Sequence, residues 1–232
     1  MRPFRHGLLA TTALLAAGAL RADGCYFQTG YFRTNAPTLH WVVDSGAIPE
    51  FAAWGVNKVT GADHFDRGHG FSLEFGYTRG PWRASIEYNH TDIYNGYFDD
   101  SQGHTGPYSA HQRYQAGLLN AYRDLRLCEQ LSLFAGAGAG FGRSIHHLDN
   151  GTDHTDGSYS LFTYQFRGGV SVKLTEQWSF TAGLRFMHVE GGDNIITFPR
   201  ENFPFLQSVN TTTLTVSDAW IRSYEIGLRH SF

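Results

Sequence analysis

The chain has 232 residues, of which 17% are charged and 15% aromatic, and its formal net charge is −3. A soluble domain of this length usually contains about 25% charged residues, so the composition disfavours an ordinary cytosolic enzyme. The acidic balance also disfavours nucleic-acid binding, which requires basic surfaces, and we expect no nucleic-acid partner.

The first 22 residues have the layout of a secretory signal peptide. Arg2, Arg5 and His6 form a basic start, residues 8–19 are a predominantly apolar run, and small residues precede a cleavage site after Ala22. The apolar run is too short to span a bilayer as a helix. Removing these residues, which hold three arginines and no acid, lowers the net charge from −3 to −6. We expect an exported mature domain of residues 23–232; the alternative is an uncleaved, buried helix.

From Tyr26 onward, short stretches alternate apolar and polar side chains. In residues 70–77 every second side chain is Phe, Leu or Tyr, and those between are small or polar. Successive side chains of a strand face opposite sides, so this period predicts strands between two different environments. The same reasoning predicts eight strands, at residues 26–33, 70–77, 82–89, 113–125, 131–144, 162–174, 178–190 and 219–232. In the fourth, the adjacent Leu118 and Leu119 interrupt the alternation, which predicts a β-bulge.

The predicted connections alternate in length. Residues 78–81, 127–130 and 175–177 form tight turns, whereas residues 34–68, 98–112, 145–160 and 191–218 form long polar loops. An even strand number, short periplasmic turns and long extracellular loops are typical of outer-membrane barrels. The predicted fold is therefore all-β, an eight-stranded antiparallel up-and-down transmembrane β-barrel in the outer membrane of a Gram-negative bacterium, with both termini periplasmic. A soluble lipocalin-like barrel, with its apolar face inward, is the structural alternative.

The last predicted strand ends in an aromatic residue. Its outward face carries Tyr224, Ile226, Leu228 and Phe232. This alternating strand resembles the C-terminal assembly signal of outer-membrane proteins. The resemblance implies that the barrel-assembly machinery is a partner.

The whole mature chain resembles the OmpA-type superfamily of small barrels, which includes the surface-antigen group. Residues 120–125 (NAYRDL) and 133–141 (LFAGAGAGF) are similar to the central hairpin of that group. The resemblance implies the barrel fold and the outer-membrane location.

The last three predicted strands also resemble those of outer-membrane lipid A deacylases, through residues 183–190 (GLRFMHVE) and 221–224 (IRSY). His188 matches the catalytic histidine of that family, but Glu190 occupies the position of its nucleophilic serine and Arg222 that of its acid. A carboxylate cannot replace the hydroxyl in acyl transfer by an activated serine. We therefore expect shared ancestry without catalysis; if activity is retained, His188 and Glu190 are the catalytic candidates.

His188, Glu190 and Arg222 are predicted to form a patch on the lipid-facing side, near the outer rim. Polar groups are costly at mid-depth but can meet lipopolysaccharide head groups at the rim. We expect an ion pair between Glu190 and Arg222; a specific lipid site is the alternative.

Charged residues at inward positions predict a network in the lumen. Its members are Glu74, Glu87, Arg167, Arg185, Glu225 and Arg229. Because an eight-stranded barrel is just wide enough for its own side chains, we expect a packed polar plug. A gated ion path is the alternative.

The remaining residues predict no prosthetic group. His104, His111, His146, His147 and His154 lie in predicted loops and match no compact metal-ligand motif, so we expect no metal and no cofactor. Cys25 and Cys128 are predicted on opposite sides of the ring, too far apart for a disulfide. We predict a monomeric outer-membrane protein with a surface or structural role, in contact with lipopolysaccharide. A lipid A deacylase-like enzyme and a narrow channel are the alternatives.

Overall fold

A computed structural model describes residues 24–35, 38–53, 55, 57–101, 103, 105–107, 109–149, 154–198 and 210–232. The predicted signal peptide lies outside these ranges. The described residues form the strands β1 (Cys25–Asn35), β2 (Thr38–Val43), β3 (Val59–Arg79), β4 (Trp82–Asp100), β5 (Thr105–Pro107), β6 (Ser109–Arg126), β7 (Leu131–Asp149), β8 (His154–Lys173), β9 (Trp178–Val189), β10 (Gly192–Phe198), β11 (Asn210–Val216) and β12 (Ala219–Ser231). A 3-10 turn (Ser45–Ala47) and a short helix, α1 (Pro49–Ala53), lie between β2 and β3. No helix in these ranges is long and apolar enough to cross a bilayer.

Eight strands close into an antiparallel barrel, which confirms the predicted fold class. Around the ring, β1, β3, β4, β6, β7, β8, β9 and β12 pair in that order, and β12 pairs with β1. Closure satisfies the backbone hydrogen bonds of the wall without leaving an edge strand. The three tight turns, at residues 80–81, 127–130 and 174–177, lie at one end, which we call the turn end; the opposite end is the loop end.

The outer surface of the barrel is apolar, and its interior is polar. On β4, Ile86 and Tyr88 are exposed, whereas Ser85, Glu87 and Asn89 are buried in the lumen. We call the outward belt the apolar band. Its border toward the loop end is marked by Tyr31, Phe71, Tyr88, Phe141, Phe162 and Tyr224, and its border toward the turn end by Tyr77, Trp82, Leu133, Leu174, Trp178 and Phe232. This polarity is that of a transmembrane barrel and is opposite to the lipocalin-like alternative.

Beyond the apolar band, toward the loop end, the two faces of the wall exchange character. The inward side chains there form a buried apolar cluster that contains Ile93, Tyr114, Tyr159, Leu161, Met187, Val189 and Ile221. Most of the outward side chains at this level are polar, among them Arg33, His69, Asp92, Arg113 and Arg143, with the exposed aromatic residues Tyr94 and Trp220 between them. The barrel therefore continues past the band as a water-facing structure with an apolar core.

Three additional strands enlarge this part of the molecule. β2 pairs with β3, β11 pairs with β2, and β10 pairs with β11. Leu39 of β2, Leu214 and Val216 of β11 and Ala219 of β12 form a second buried cluster, against which Trp41, Val43 and Phe65 pack. We call β2, β10, β11 and the adjoining part of β3 the loop-end sheet.

The predicted extent of the long loops was wrong. β4 runs to Asp100 and β6 begins at Ser109, while β7 ends at Asp149 and β8 begins at His154. The predicted loops 34–68 and 191–218 contain β2, the start of β3, β10 and β11. The strands continue because their inward apolar residues fill the loop-end core. The prediction recognised strands by apolar side chains on the outward face. It therefore ended the strands where the outward face becomes polar and the inward face apolar.

The predicted bulge in the fourth barrel strand was also wrong. Leu118 points inward and is 1% exposed, whereas Leu119 points outward and is 67% exposed. β6 keeps an unbroken register with both of its neighbours at this point. Two adjacent leucines simply occupy the two faces, because the lumen accepts one apolar side chain here. The register shifts instead in β3, around Phe65.

Both cysteines carry free thiols. Cys25 is buried and pairs with Tyr77 at the start of β1, whereas Cys128 is exposed in the turn between β6 and β7. That the two are not bonded to each other in the cell stays a prediction.

Candidate functional site

The most highly connected polar site is a charge network in the lumen. Arg167 on β8 donates from Nη1 to Glu74 Oε2 at 2.7 Å and from Nη2 to Glu225 Oε1 at 2.6 Å. The same Nη1 lies 3.3 Å from Glu87 Oε2. β8 and β3 occupy opposite positions in the ring, so the pair of Arg167 with Glu74 crosses the lumen.

A second arginine completes the network from the adjacent strand. Arg185 on β9 donates from Nη1 to Glu87 Oε1 at 2.6 Å, and its Nε and Nη2 lie 3.1–3.2 Å from the Glu225 oxygens. Arg185 is 1% exposed and Glu87 0% exposed. Ionised groups can stay this deeply buried only when they are paired and hydrogen-bonded.

Neutral side chains satisfy the remaining carboxylate oxygens. Gln165 and Asn120 donate to Glu87 Oε2 at 2.7 and 2.8 Å, and the Tyr26 hydroxyl donates to Glu74 Oε1 at 2.6 Å. The wall leaves room for these groups at Gly30, where a Cβ atom would lie 2.5 Å from Glu225 Oε1 and 2.7 Å from Ser72 Oγ. The network is thus a preformed, hydrogen-bonded plug.

Five of the six predicted network residues meet in this plug, and Arg229 lies apart. Arg229 donates to Ser171 Oγ at 3.2 Å, nearer the turn end. A separate buried pair lies at that end as well. Arg83 donates from Nε and Nη2 to the Asp124 carboxylate at 2.7 and 2.9 Å. Asp124 was missed because the alternation of β6 alone does not reveal which acid faces Arg83.

The predicted rim patch lies on the outer face, but its members have separate partners. His188 is stacked on Tyr164, with ring centroids 4.6 Å apart, and contacts Trp220 edge-on at 5.1 Å. Its Nε2 lies 3.6 Å from Asp218 Oδ2. Asp218 was not a predicted site residue; the register of β12 on β9, in which Trp220 is opposite His188, brings it there.

Glu190 and Arg222 are not brought together. Glu190 Oε2 accepts a hydrogen bond from the Phe162 amide at 3.1 Å. Arg222 is opposite Phe186 across β9 and β12, four residues away from the level of Glu190. At about 3.4 Å per residue this offset is too large for an ion pair. No ion pair among the described residues joins the two.

A third polar cluster, not predicted, lies on the outer face beyond the apolar band. Asp92 accepts hydrogen bonds from His90 Nε2 at 2.9 Å, His111 Nε2 at 2.8 Å and Arg113 Nε at 2.9 Å. Partial burial by itself raises the pKa of Asp92, but these hydrogen bonds outweigh burial and hold it at about 2. His111, which was predicted in a loop, therefore lies on β6 and is a hydrogen-bond partner of Asp92.

The residues of the predicted assembly signal share one surface. Tyr224, Ile226, Leu228 and Phe232 are all exposed on the apolar band. The Phe232 amide donates to Cys25 O at 3.0 Å, which ties the end of the described chain to the start of β1. Recognition by the barrel-assembly machinery stays a prediction.

The fold has solved counterparts. The outer-membrane protein OprG from Pseudomonas aeruginosa matches with a TM-score of 0.59 and 14% identity, over 90% of this chain and 96% of that one. Neisserial surface protein A matches with a TM-score of 0.49 and 14% identity, over 90% and 100% of the two chains. Ail of Yersinia pestis matches with a TM-score of 0.43 and 12% identity, over 91% and 100%.

The match to OprG confirms that the chain has the fold of the small outer-membrane barrels. At this identity the likeness extends to the fold alone. No protein-family model and no curated protein matches the chain.

Proposed function

We propose that the protein is a monomeric, exported outer-membrane barrel with a surface role in envelope integrity or contact. In this proposal residues 1–22 are the cleaved signal peptide, the termini face the periplasm, and the loop end faces outward. Lipopolysaccharide surrounds the apolar band, and the barrel-assembly machinery inserts the chain through its last strand. The closed apolar band, which suits only a lipid environment, supports the membrane location.

The observation that carries the surface role is the inversion of the wall beyond the apolar band. Mobile loops would need no core, but here Leu39, Leu214 and Val216 are buried beneath the loop-end sheet. Burying such side chains stabilises a structure by roughly 1.5–3 kcal/mol each. The chain therefore maintains an ordered platform outside the membrane, which is the part of the molecule available for contact.

Deletion and complementation test this role. A strain that lacks the protein should be more sensitive to detergent, and the full chain should restore resistance. In a second variant, which we call the trimmed chain, residues 193–215 are replaced by a short Gly-Asn turn. The trimmed chain lacks β10 and most of β11. It should still assemble as a barrel but should not restore resistance.

Assembly is checked by the mobility of unboiled samples in SDS, since a closed barrel migrates faster before boiling than after it. If the trimmed chain assembles and restores resistance fully, the platform is not the functional part. If the deletion strain is as resistant as its parent and binds surfaces equally well, the surface role itself fails.

One observation favours the enzymatic alternative. His188 lies on the lipid-facing side with Asp218 beside Nε2, and an acid next to a histidine is the arrangement that general-base catalysis uses. Among the described residues, the His188 ring contacts Tyr164 and Trp220. The hydroxyl of Thr163 donates to the backbone carbonyl oxygen of His188 at 2.6 Å. That hydroxyl is directed to the backbone, so we propose a non-catalytic role for this histidine.

A further inference from the structure

We propose that Arg33, Arg67 and Arg222 form a binding site for the phosphate groups of lipid A on the outer face of β12, β1 and β3. The inference rests on the proposed outer-membrane location and adds a ligand and a site to it. We call the three residues the arginine cluster.

The strand register brings the three arginines together. Arg33 on β1 is opposite Tyr224 on β12 and His69 on β3. Arg222 and Arg67 lie two residues beyond these partners on the same outward face, so both are diagonal neighbours of Arg33. Diagonal neighbours have Cα atoms about 7–8 Å apart, within reach of two long side chains on one phosphate.

No described carboxylate is paired with the cluster, and Asp92, which lies diagonal to Arg67, is held by His90, His111 and Arg113 instead. All three arginines are exposed, and none of them takes part in an ion pair or a side-chain hydrogen bond with another described residue. Of the other outward arginines at this level, Arg113 has an acid as its partner and Arg143 a neutral hydroxyl. Arg113 donates to Asp92 at 2.9 Å, and Arg143 donates to Ser158 Oγ at 2.5 Å. Like charges held close together without an acid are unfavourable unless an anion joins them.

The level of the arginine cluster relative to the apolar band indicates which anion it binds. Arg33 lies two residues toward the loop end from Tyr31, and Arg222 lies between Tyr224 and Trp220, which are exposed on the same face of β12. Tyrosine and tryptophan side chains are typical of the membrane interface. Acyl chains that cover the band therefore place their head groups at the level of the arginines. Guanidinium groups form bidentate, charge-assisted hydrogen bonds with phosphate. In the outer leaflet, the phosphorylated lipid is lipid A.

The experiment uses the purified full chain in a non-ionic detergent and native mass spectrometry. The probes are bisphosphorylated lipid A, the same lipid with both phosphates removed, and phosphatidylglycerol. Wild-type protein should bind bisphosphorylated lipid A at least about tenfold more tightly than the dephosphorylated lipid, the ratio expected from one net charge-assisted hydrogen bond. Phosphatidylglycerol should bind less tightly than bisphosphorylated lipid A.

The triple variant Arg33→Gln, Arg67→Gln and Arg222→Gln should reduce that ratio to within about twofold. A triple Lys variant, which keeps the charge but loses the planar fork, should give an intermediate ratio. Arg79→Gln, an exposed arginine at the turn end, is the matched control and should retain the wild-type ratio. Faster SDS mobility before boiling checks that each variant has folded.

A folded triple Gln variant that keeps the tenfold ratio overturns the proposal. Tighter wild-type binding of phosphatidylglycerol, or an equal loss in Arg79→Gln, overturns it as well. None of these outcomes bears on the surface role, which the complementation of the trimmed chain tests separately.

Discussion

Arg185 and Glu87 face each other across the lumen, with Nη1 and Oε1 2.6 Å apart. Their strands, β9 and β4, are separated by three other barrel strands in either direction around the ring. The pair therefore fastens opposite sides of the wall to each other. Together with the pair of Arg167 and Glu74, it spans the lumen with paired charges of opposite sign.

Removing one partner should be costly, because it leaves an uncompensated buried charge. We expect Arg185→Met to lower the free energy of unfolding by about 3–5 kcal/mol. Arg79→Met, on the exposed surface, should change it little. The measurement is urea unfolding in detergent micelles, followed by tryptophan fluorescence. Adding Glu87→Gln to Arg185→Met should recover part of the loss; no recovery would mean that packing, not charge, is responsible.

The charge network across the lumen also predicts whether the barrel conducts ions. Wild-type protein in planar bilayers should show no steady single-channel conductance, because Arg167 and Arg185 fill the passage with hydrogen-bonded side chains. The double variant Arg167→Ser and Arg185→Ser, if folded, should admit cations past the three remaining glutamates. Steady conductance through the wild-type protein would contradict the packed plug and favour the channel alternative.

The Asp92 cluster predicts a dependence of stability on pH. The folded protein holds the pKa of Asp92 at about 2, below the ordinary 3.8. Its contribution is therefore complete above about pH 4 and is lost as the pH falls toward 2. Asp92→Asn should lower the free energy of unfolding by about 1 kcal/mol at pH 5, since the cluster is partly exposed.

The difference between wild type and Asp92→Asn should shrink between pH 4 and pH 2 in unfolding titrations. Asp44→Asn, at an exposed acid near the loop end, is the control and should have little effect at either pH. A difference that grows as the pH falls would mean that the hydrogen bonds stabilise the protonated acid.

The lipid-facing histidine permits a direct test of the non-catalytic prediction. Purified wild-type protein incubated with lipid A should release no fatty acid above a protein-free control. His188→Ala and Asp218→Asn should behave in the same way. Release by the wild type that disappears in His188→Ala would establish catalysis. The nucleophile would then be a water activated by His188, with Asp218 rather than Glu190 as its nearest described acid.

The closed barrel and its polarity could be predicted from the alternation of side chains along the chain. A period of two over residues 70–77 or 178–186 reports which environment each face meets, because successive strand side chains point to opposite sides. The same period assigned Glu74, Glu87, Arg167, Arg185 and Glu225 to the lumen. The pattern failed beyond the apolar band, where polar side chains turn outward and Leu39, Tyr159 and Leu214, all in predicted loops, turn inward. Segments with this inverted pattern were predicted as loops, although they form strands.

Which of these residues meet could not be predicted, because it depends on the three-dimensional pairing of the strands. Arg185 and Glu87 are 98 positions apart in the chain, and the hydrogen-bond register summed around the closed ring sets their heights in the lumen. The same register places Asp218 beside His188, separates Glu190 from Arg222, and gathers Arg33, Arg67 and Arg222 on one face. Alternation fixes the face of each side chain, but its height relative to distant strands depends on the pairing of the whole barrel.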